Sequence, residues 1–362
     1  MPTSRGRRAA CTGLLLAVLP LLGGAPASAQ GTAVGGDQLA VHGTVVPATA
    51  PPLPATVASG WLVADLDTGD VLAAKDPHGR YPPASTLKAL TALTLIPRLA
   101  PGRQVTPTFA DVKVDGSRVG LVEHVAYPVS QLFTAMLVVS GNDAANSLAT
   151  ANGGVGPTVT QMNVEAAYLR ALDTHANTPN GLDSAGQTSS AYDLALIARA
   201  AMRLPDFRRY VATKHSTVRG LHGKAISISS HDKLLYNYPG AIGIKNGYTV
   251  AAGATFIGAA TRGGHTLVVT LLHTAPRYWP EAAALLDWGF AAESRSVQPV
   301  GRLVDPGSSA GPSGRAGAVT AVPAVAARVP ATGHSSGVPV LPVAVVVLGG
   351  GAVAVFVRRR WA

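Results

Sequence analysis

Strand patterns stand at both ends of one long stretch of this chain, and helical patterns fill its middle. Residues 61–74 hold two apolar runs around the turn formers Asp-Thr-Gly-Asp at 67–70, which predicts a β-hairpin. Strand-like runs return near the other end, at residues 241–249, 254–260 and 266–272. This order predicts an α+β fold, in which one antiparallel sheet is formed from both ends of the domain and a helical subdomain is inserted between.

Apolar residues at helical spacing predict the helices of this domain. One helix starts near Ser85, a favourable residue for a helix start that follows two prolines. Further helices are predicted at 129–139, 144–149, 190–202 and 280–290. Asp143 is a candidate cap for the helix at 144–149.

The two ends of the chain differ from this middle part. An arginine-rich start, a short apolar stretch and Ala-Ser-Ala at 27–29 are typical of a secretory signal peptide. Near the other end, about 20 mostly apolar residues precede three arginines, which predicts a membrane-spanning helix with a cytoplasmic tail. The predicted organisation is a signal peptide at 1–29, a flexible lead-in at 30–57, a folded domain at 58–300, a Pro/Gly/Ala-rich linker at 301–337, a transmembrane helix at 338–357 and a basic tail at 358–362.

This organisation predicts an extracytoplasmic domain anchored by a single C-terminal helix. Val-Pro-Ala-Thr-Gly at 329–333, with the apolar stretch and basic end that follow, also resembles a degenerate sortase signal, so linkage to the cell wall is the second expectation. The only cysteine, Cys11, lies in the predicted signal. The exported protein would therefore have neither disulfides nor thiol chemistry.

The net charge of +10 is concentrated at the chain ends. Six arginines, at 5, 7, 8, 358, 359 and 360, supply six of the ten excess charges, and the middle contains no run of basic residues. We therefore expect no nucleic-acid partner. The ten histidines are scattered and form no His-Glu-x-x-His motif, so neither a metal nor another cofactor is expected.

Ser85 and Lys88 form the first motif with chemical content. Residues three apart on a helix are neighbours, so the two side chains share one face. A lysine in a dry pocket can have its pKa lowered until it accepts a proton from a serine hydroxyl. The start of a helix also offers free N–H groups to an oxyanion. This pair predicts an activated serine nucleophile.

Two further motifs follow in order, Ser140-Gly141-Asn142 and Lys245-Asn246-Gly247. The three together resemble the penicillin-recognising serine hydrolases, which carry Ser-x-x-Lys, Ser-x-Asn and Lys-Thr-Gly. The flanks at 83–85, 140–145, 179–183, 233–240 and 285–290 resemble the D-alanyl-D-alanine carboxypeptidases among the low-molecular-weight penicillin-binding proteins. The resemblance covers roughly residues 60–290. It implies a β-lactamase/transpeptidase-like form of the α+β fold.

The resemblance implies a role for each catalytic position. Ser85 would be the nucleophile that forms an acyl-enzyme with a peptidoglycan stem peptide ending in D-Ala-D-Ala, and Lys88 would be its base. Ser140 would relay a proton to the leaving D-Ala. β-Lactams would then act as covalent inhibitors of the same serine.

A substrate-binding set is implied in the same way. Asn142 would hold the peptide amide and orient Lys88, and Lys245 would attract the substrate carboxylate and tune Ser140. Asn246 and Gly247 complete the third motif. The oxyanion would lie between the backbone N–H groups of Ser85 and Tyr248.

Asn246 leaves alternatives open, because the family usually has threonine there. Asparagine can still donate a hydrogen bond to a carboxylate, but Asn-Gly between apolar residues is also a hairpin-turn signal that would leave Lys245 in solvent. The protein would then bind peptidoglycan with weak or no catalysis. A β-lactamase is a lesser alternative, since Glu165 lies in a helix-like context and not in a β-lactamase loop. Ser230 and Lys233 repeat the first motif out of order, and we interpret them as a capping serine and a solvated lysine.

Overall fold

The central element is a seven-stranded antiparallel sheet. The computed structural model describes residues 33–307, except 221 and 223. Its strands are β1 (Thr44–Val45), β2 (Gly60–Asp65), β3 (Asp70–Lys75), β4 (Gln104–Val105), β5 (Tyr127–Pro128), β6 (His215–Arg219), β7 (Ala225–Ser229), β8 (Ala241–Thr249), β9 (Gly253–Arg262), β10 (His265–Thr274) and β11 (Gly301–Arg302). The sheet has the order β1-β3-β2-β10-β9-β8, with β11 paired to β3. Strands from both ends of the domain therefore meet where β2 pairs with β10.

The helices lie mainly between β3 and β8 in the sequence. They are α1 (Lys88–Leu95), α2 (Phe109–Val112), α3 (Val129–Val138), α4 (Asn142–Ala151), α5 (Val155–Tyr168), α6 (Ala191–Ala201), α7 (Pro205–Val211), α8 (Leu234–Asn237) and α9 (Trp279–Glu293). The α+β prediction is thereby confirmed, with the predicted hairpin as β2 and β3 and the three late strands as β8, β9 and β10. The predicted helices at 129–139, 190–202 and 280–290 correspond to α3, α6 and α9.

Both faces of the sheet are covered by helices. Alternate residues of β2 divide between two cores: Leu62 and Ala64 join the large core under the inserted helices, while Trp61 and Val63 join a smaller core under α9. Successive side chains of a strand point to opposite faces, so this division follows from strand geometry. β8 is an edge strand of the sheet, and it packs against the 3₁₀ turn Ala84–Leu87. The contact between the two forms the site described below.

Two predictions about the edges of the domain are wrong. Residues 33–57, expected to be part of a flexible lead-in, bury Leu39 completely and supply β1 to the sheet. The Trp288 indole also donates to the Pro51 carbonyl at 2.8 Å. At the other end, β11 lies within the predicted linker but pairs with β3. Both edges are ordered because they cover the β3 side of the sheet.

Several other predictions concern residues outside the described part of the chain. They are the signal peptide at 1–29, most of the linker, the transmembrane helix at 338–357 and the basic tail. Among residues 33–307, no helix combines the length and the apolar character that crossing a bilayer requires.

Candidate active site

Ser85 lies in the tight 3₁₀ turn that leads directly into α1. The turn begins at Ala84, which has a left-handed φ of 47°, an unfavourable conformation for a residue with a Cβ. The Pro83 carbonyl accepts a hydrogen bond from Thr255 Oγ1 of β9 at 2.8 Å and so fixes the turn to the sheet. Pro83, and not Ser85, occupies the N-cap position of this turn. The Ser85 hydroxyl therefore does not cap the helix and is free to interact with Lys88.

Two glycines allow other segments to approach this turn. A Cβ on Gly181, whose φ is +79°, would lie 2.0 Å from the Ala84 carbonyl oxygen. A Cβ on Gly247 of β8 would lie 2.7 Å from the Ser85 backbone nitrogen and 2.5 Å from Thr255 Oγ1. Both positions therefore require glycine. Their close approach holds the Ser85 turn between β8 and the loop at 179–183.

Lys88 is buried completely and is directed at the serine. Its Nζ donates to Ser85 Oγ at 2.9 Å, to Asn142 Oδ1 at 2.7 Å and to the Asn180 carbonyl. Burial, and next the positive charge of Lys245, hold the pKa of Lys88 well below its usual value, against an opposing effect of Asp143. The lowered pKa favours the neutral amine, which donates from two N–H groups and can take a proton from Ser85 through its lone pair.

Ser140 lies at the end of the segment between α3 and α4. Its φ is +61°, and its buried Oγ has no hydrogen-bond partner within the described residues. Two residues on, Asn142 begins α4 and extends its side chain in both directions, accepting from Lys88 through Oδ1 and donating through Nδ2 to the Asp115 carbonyl at 2.7 Å. A residue in a strained conformation with a buried, unpartnered hydroxyl, two positions before Asn142, is typical of a functional site.

Asp143 is not the helix cap that the sequence suggested. It lies in the first turn of α4, which has Gly141 at its N-cap. Its carboxylate accepts from the N–H groups of Val119, Gly120 and Leu121 at 2.9–3.0 Å, and from Ala144 in its own helix. This buried aspartate therefore anchors the loop that faces the Ser-x-Asn motif.

Lys245 lies in the middle of a regular strand, so the hairpin-turn alternative is wrong. In β8, Lys245 pairs with Ile257 and Asn246 with Phe256 of β9. The Lys245 side chain is 1% exposed, and Nζ donates to the Asn246 carbonyl at 2.7 Å, with Asn246 Oδ1 at 3.4 Å. Burial lowers the pKa of Lys245 to about 7, opposed by the negative charge of Asp232.

Tyr248 follows this motif at the open end of β8. Its side chain is 59% exposed, whereas its backbone pairs with Ala254 of β9. The neighbouring Thr249 Oγ1 donates to Asp183 at 2.8 Å, which ties the end of β8 to the loop at 179–183. The mouth of the site is thus bounded by β8 and that loop.

The structure brings the three motifs together from three elements. Lys88 is hydrogen-bonded to both Ser85 and Asn142. Gly247 packs on Ser85, and the positive charge of Lys245 lowers the pKa of Lys88. Tyr248 extends from the same strand.

Two residues that sequence reasoning did not assign also belong here. The Asn180 carbonyl accepts from Lys88, and the buried Asp232 carboxyl is coupled to Lys245. The Asn-Gly pair at 180–181 indicated a loop, but a backbone carbonyl leaves no sequence signal of its role.

Ser230 and Glu165, the residues of the alternative catalytic readings, lie in structural positions without a catalytic arrangement around them. Ser230 Oγ accepts from the Asp232 N–H at 3.2 Å, and the side chain of Lys233 is exposed, as expected for a turn with a solvated lysine. Glu165 lies within α5.

Two clusters among the described residues each bring three side chains that could bind a metal ion close together. They are Asp65/His265/Glu293 and His78/Asp173/Asp193. Neither cluster contains a residue of the three motifs, and in each the histidine is already hydrogen-bonded to an aspartate.

A serine held by a buried lysine, with an asparagine from the start of a helix and a second lysine from an edge strand, defines an active-serine hydrolase. The sequence profile of the D-alanyl-D-alanine carboxypeptidase family matches residues 46–275, and the chain belongs to this family of serine peptidases. The D-alanyl-D-alanine carboxypeptidase DacB2 of Mycobacterium tuberculosis is 45% identical over 254 residues, which cover 68% of this chain and 87% of the relative. The longer DacD of Salmonella typhimurium is 34% identical, over 66% of this chain and 64% of its own length.

Solved structures agree with this assignment. A D-alanyl-D-alanine carboxypeptidase of Mycobacterium tuberculosis superposes with a TM-score of 0.67 at 43% identity, covering 72% of this chain and 99% of the other. A Streptomyces DD-transpeptidase superposes with a TM-score of 0.64 at 30% identity, covering 67% of this chain and all of the other. The fold and the family are therefore shared along the part that contains the site.

Proposed function

We propose that this chain is a serine-type D-Ala-D-Ala carboxypeptidase that removes the terminal D-Ala from peptidoglycan stem peptides through an acyl-enzyme on Ser85. The observation that carries the proposal is the 2.9 Å hydrogen bond between Ser85 Oγ and the buried Lys88. A lysine with a strongly lowered pKa beside a serine is a base beside its nucleophile. Membership of the carboxypeptidase family supports the substrate class.

Acylation begins when Lys88 Nζ takes the Ser85 proton as Oγ attacks the carbonyl carbon of the penultimate D-Ala. The oxyanion lies between the N–H groups of Ser85 and Tyr248. Lys88 returns this proton through the Ser140 hydroxyl to the departing amine. The C–N bond breaks, free D-Ala leaves, and Lys88 is neutral again. The unpartnered hydroxyl of Ser140 supports this relay.

Deacylation reverses the proton path. Water adds to the ester carbonyl while Lys88 accepts its proton, the bond between the acyl carbon and Ser85 Oγ breaks, and Lys88 returns the proton to Ser85 Oγ. Asn142 holds the peptide amide, and Lys245 with Asn246 attracts the terminal carboxylate. A β-lactam would be attacked in the same way, but its leaving amine stays tethered, so the acyl-enzyme lasts longer.

A catalytically weak or inactive peptidoglycan-binding protein is the second candidate, and Asn246 is the observation that favours it. The family pattern has threonine there, and in this chain the Asn246 Oδ1 accepts from Lys245 Nζ at 3.4 Å. A β-lactamase is a lesser alternative. The three functions differ in how quickly Ser85 is acylated by penicillin and how quickly the acyl group is released.

The test uses the full-length protein beside Ser85→Ala and Asn246→Thr, with a fluorescent penicillin and with a peptide ending in D-Ala-D-Ala. We expect labelling and D-Ala release from the unmodified protein, and neither from Ser85→Ala. Label in Asn246→Thr alone would favour the binding protein. Fast loss of the label with release of opened penicillin would favour the β-lactamase. Absence of label from all three folded proteins would overturn the serine mechanism.

We also propose that the chain is exported and remains at the membrane. The patterns at 1–29 and 338–357 support this, with sortase-type linkage through 329–333 as the alternative. Membrane fractions should contain the full-length protein, and a chain ending at residue 337 should appear in the medium. Release only by a wall-degrading enzyme of a protein that lacks the apolar stretch at 338–357 would favour the sortase alternative.

A further inference from the structure

The amine of Lys88 can act as a base only when its lone pair faces Ser85. A lysine ammonium has three N–H donors, so the neutral amine keeps two of them and gains a lone pair. Two of its neighbours, Asn142 Oδ1 at 2.7 Å and the Asn180 carbonyl, can only accept hydrogen bonds, whereas Ser85 Oγ, at 2.9 Å, can also donate one. When the two acceptors take the two N–H groups, the lone pair is left to the Ser85 hydroxyl.

The Asn180 carbonyl belongs to the backbone, so its direction depends on the orientation of the peptide unit that joins Asn180 to Gly181. This unit is trans, and in a planar trans peptide the C=O and N–H groups point in opposite directions. The Gly181 N–H donates to Thr178 Oγ1 at 3.0 Å. Holding this N–H at Thr178 therefore directs the carbonyl of the same unit to the opposite side, where Lys88 lies.

Gln187 is the side chain that fixes Thr178, and it is only 4% exposed. Its Oε1 accepts three hydrogen bonds, from the Asn177 N–H at 3.0 Å, from the Thr178 N–H at 2.9 Å and from the Thr178 hydroxyl at 3.0 Å. A threonine hydroxyl has one proton and two lone pairs. Because that proton goes to Gln187, a lone pair of Thr178 Oγ1 is directed at the Gly181 N–H.

The amide nitrogen of Gln187 holds the far end of the same loop. Gln187 Nε2 donates to the Leu182 carbonyl at 2.8 Å. The Leu182 N–H in turn donates to Asn180 Oδ1 at 2.9 Å. One side chain therefore spans the loop at 177–182, with the peptide unit between Asn180 and Gly181 at its centre.

Gln187 holds this loop from a backbone that is itself fixed. The next residue, Thr188, exchanges two backbone hydrogen bonds with His175 at 3.0 and 3.1 Å. Ser189 exchanges two with Tyr81 at 2.9 Å, in the segment that leads into the turn of the nucleophile. The position of the loop relative to the serine turn is thus set through Gln187.

We propose that Gln187 is a positioning residue for acylation, whose side-chain amide holds the loop at 177–182 so that the Asn180 carbonyl takes one N–H of Lys88 and the lone pair of the amine faces Ser85. This role rests on the proposed function and names what orients the base of that same site. Gln187 lies outside the three motifs, and within the described residues its side-chain hydrogen bonds go to the loop and not to Lys88, so it acts through the backbone.

The first test measures acylation of the full-length protein over a range of penicillin concentrations, which separates the saturating rate from the half-saturating concentration. Gln187→Met keeps most of the buried volume and removes the four hydrogen bonds. We expect the saturating rate to fall about tenfold or more, because small misplacements of a catalytic group are costly. The half-saturating concentration should change by less than about twofold, because other elements hold the proposed binding groups. An unchanged saturating rate would overturn the proposal.

Asn163→Leu is the matched control for this measurement. Asn163 of α5 bonds to the Ala176 backbone twice, accepting from its N–H at 2.8 Å and donating to its carbonyl at 2.9 Å. It therefore fixes the start of the loop without reaching the peptide unit at 180–181. We expect both kinetic values of this variant to stay within about twofold of the unmodified protein. An equal fall of the saturating rate in Asn163→Leu and Gln187→Met would mean that any loosening of the region slows acylation, and would overturn the specific role of Gln187.

The second test asks whether Gln187 acts through the Thr178 hydroxyl. Thr178→Val removes that hydroxyl at nearly constant size, and it also tests the path should Gln187→Met not fold. We expect Thr178→Val to lower the saturating rate about threefold or more. The variant with both changes should lose less than the product of the two single losses, because the two side chains act along one path. An unchanged rate in Thr178→Val, or losses that multiply, would overturn the proposed path.

Amide hydrogen exchange separates this inference from the proposed function, because it needs no catalysis. The Thr178 and Gly181 N–H groups of the full-length protein, followed by NMR, should exchange about tenfold faster in Gln187→Met than in the unmodified protein, and at an unchanged rate in Asn163→Leu. If no protein is acylated at Ser85, the proposed function fails, while the exchange rates still decide whether Gln187 holds this loop. Equal exchange of both groups in Gln187→Met and the unmodified protein would overturn the proposal.

Discussion

Lys88 is the residue on which acylation depends most directly. Its three hydrogen bonds go to Ser85, Asn142 and Asn180, so its nitrogen is fixed beside the nucleophile. Replacing it with methionine keeps most of the buried volume and removes the base. We expect Lys88→Met to lower the rate of penicillin acylation by about 10²–10⁴-fold, the usual contribution of a general base. Stopped-flow or timed labelling of the full-length protein measures this rate.

The chain offers its own control for this variant. Lys233 stands three residues after Ser230, as Lys88 does after Ser85, but its side chain is exposed. Lys233→Met should therefore label at the rate of the unmodified protein. A Lys88→Met protein that labels normally would show that another group takes the Ser85 proton.

Gly247 is the second residue on which acylation of Ser85 depends, because a single added carbon atom would disturb the site. A methyl group there would lie 2.7 Å from the Ser85 backbone nitrogen, so β8 or the Ser85 turn would have to move. We expect Gly247→Ala to reduce acylation by about tenfold or more, since small misplacements of catalytic groups are costly. Gly156→Ala, in open space on α5, is the control and should react normally. Equal rates in the two variants would show that the Gly247 contact is not needed.

At the scale of elements, Asp143 joins α4 to the loop at 117–121. Four N–H groups converge on its buried carboxylate, and the same loop accepts from the Asn142 N–H through the Ser117 carbonyl at 2.8 Å. We expect Asp143→Ala to lower the free energy of unfolding by about 3 kcal/mol, because several buried donors lose their acceptor. Urea unfolding measures this, and penicillin acylation should fall as well because Asn142 loses its support.

Asp206→Ala is the control for Asp143→Ala. Asp206 forms an exposed pair with Arg209 on α7, and surface pairs of this kind contribute about 0–1 kcal/mol. A loss of stability as small in Asp143→Ala as in Asp206→Ala would show that water replaces the carboxylate at the loop.

Some of these elements could be predicted from the sequence and others could not. Long apolar runs with turn formers between them predicted β2, β3 and α3 correctly, because burial on a sheet or under helices leaves a strong periodic pattern. The short hairpin of β6 and β7 was not predicted, since most of its residues are exposed and its apolar alternation is brief. Asp143 was expected to cap a helix, but long-range contacts to the loop at 119–121 determine its role, and local pattern does not record them.

The three motif positions were predicted from the sequence, but their electrostatics were not. The order of the motifs indicated Ser85, Lys88, Ser140 and Lys245, and the structure brings their elements together. Both lysines are buried where the Ser85 turn and α1 pack against β8, and the negative charge that acts on Lys245 comes from Asp232 in a separate segment. Asn246 was ambiguous for the same reason, because only pairing with β9 distinguishes a strand from a turn.

At the scale of the whole molecule, His78 joins the segment around Val34 to the rest of the domain. One ring nitrogen bonds to Asp173 at 2.7 Å and the other to the Val34 carbonyl at 3.0 Å. Both partners are acceptors, so only the protonated ring, which donates from both nitrogens, can form both hydrogen bonds. Burial lowers the pKa of His78, but the hydrogen bond and charge of Asp173 and the Val34 carbonyl outweigh it, and the net pKa is raised.

This contact predicts a pH dependence of stability with a definite sign. A group whose pKa is higher in the folded state stabilises the fold fully below its unfolded pKa, about 6.5 for histidine, and loses that contribution as pH rises through the folded value. We expect His78→Gln to be less stable than the unmodified protein near pH 6, with a difference that narrows toward pH 9. Urea unfolding at both pH values measures the free energy of unfolding of each protein.

The comparison with His124→Gln decides whether the effect belongs to this contact. The His124 side chain is 87% exposed and its one ion pair is with the adjacent Glu123 at 3.6 Å, so its replacement should give a small and nearly constant difference. If the His78→Gln difference instead stayed constant or grew with pH, His78 would be neutral in the folded protein. One of its two hydrogen bonds would then be lost, and the segment at 33–36 would keep the hydrogen bond from the Arg302 N–H to the Gly35 carbonyl and the packing of Ala33 and Val34 on the core.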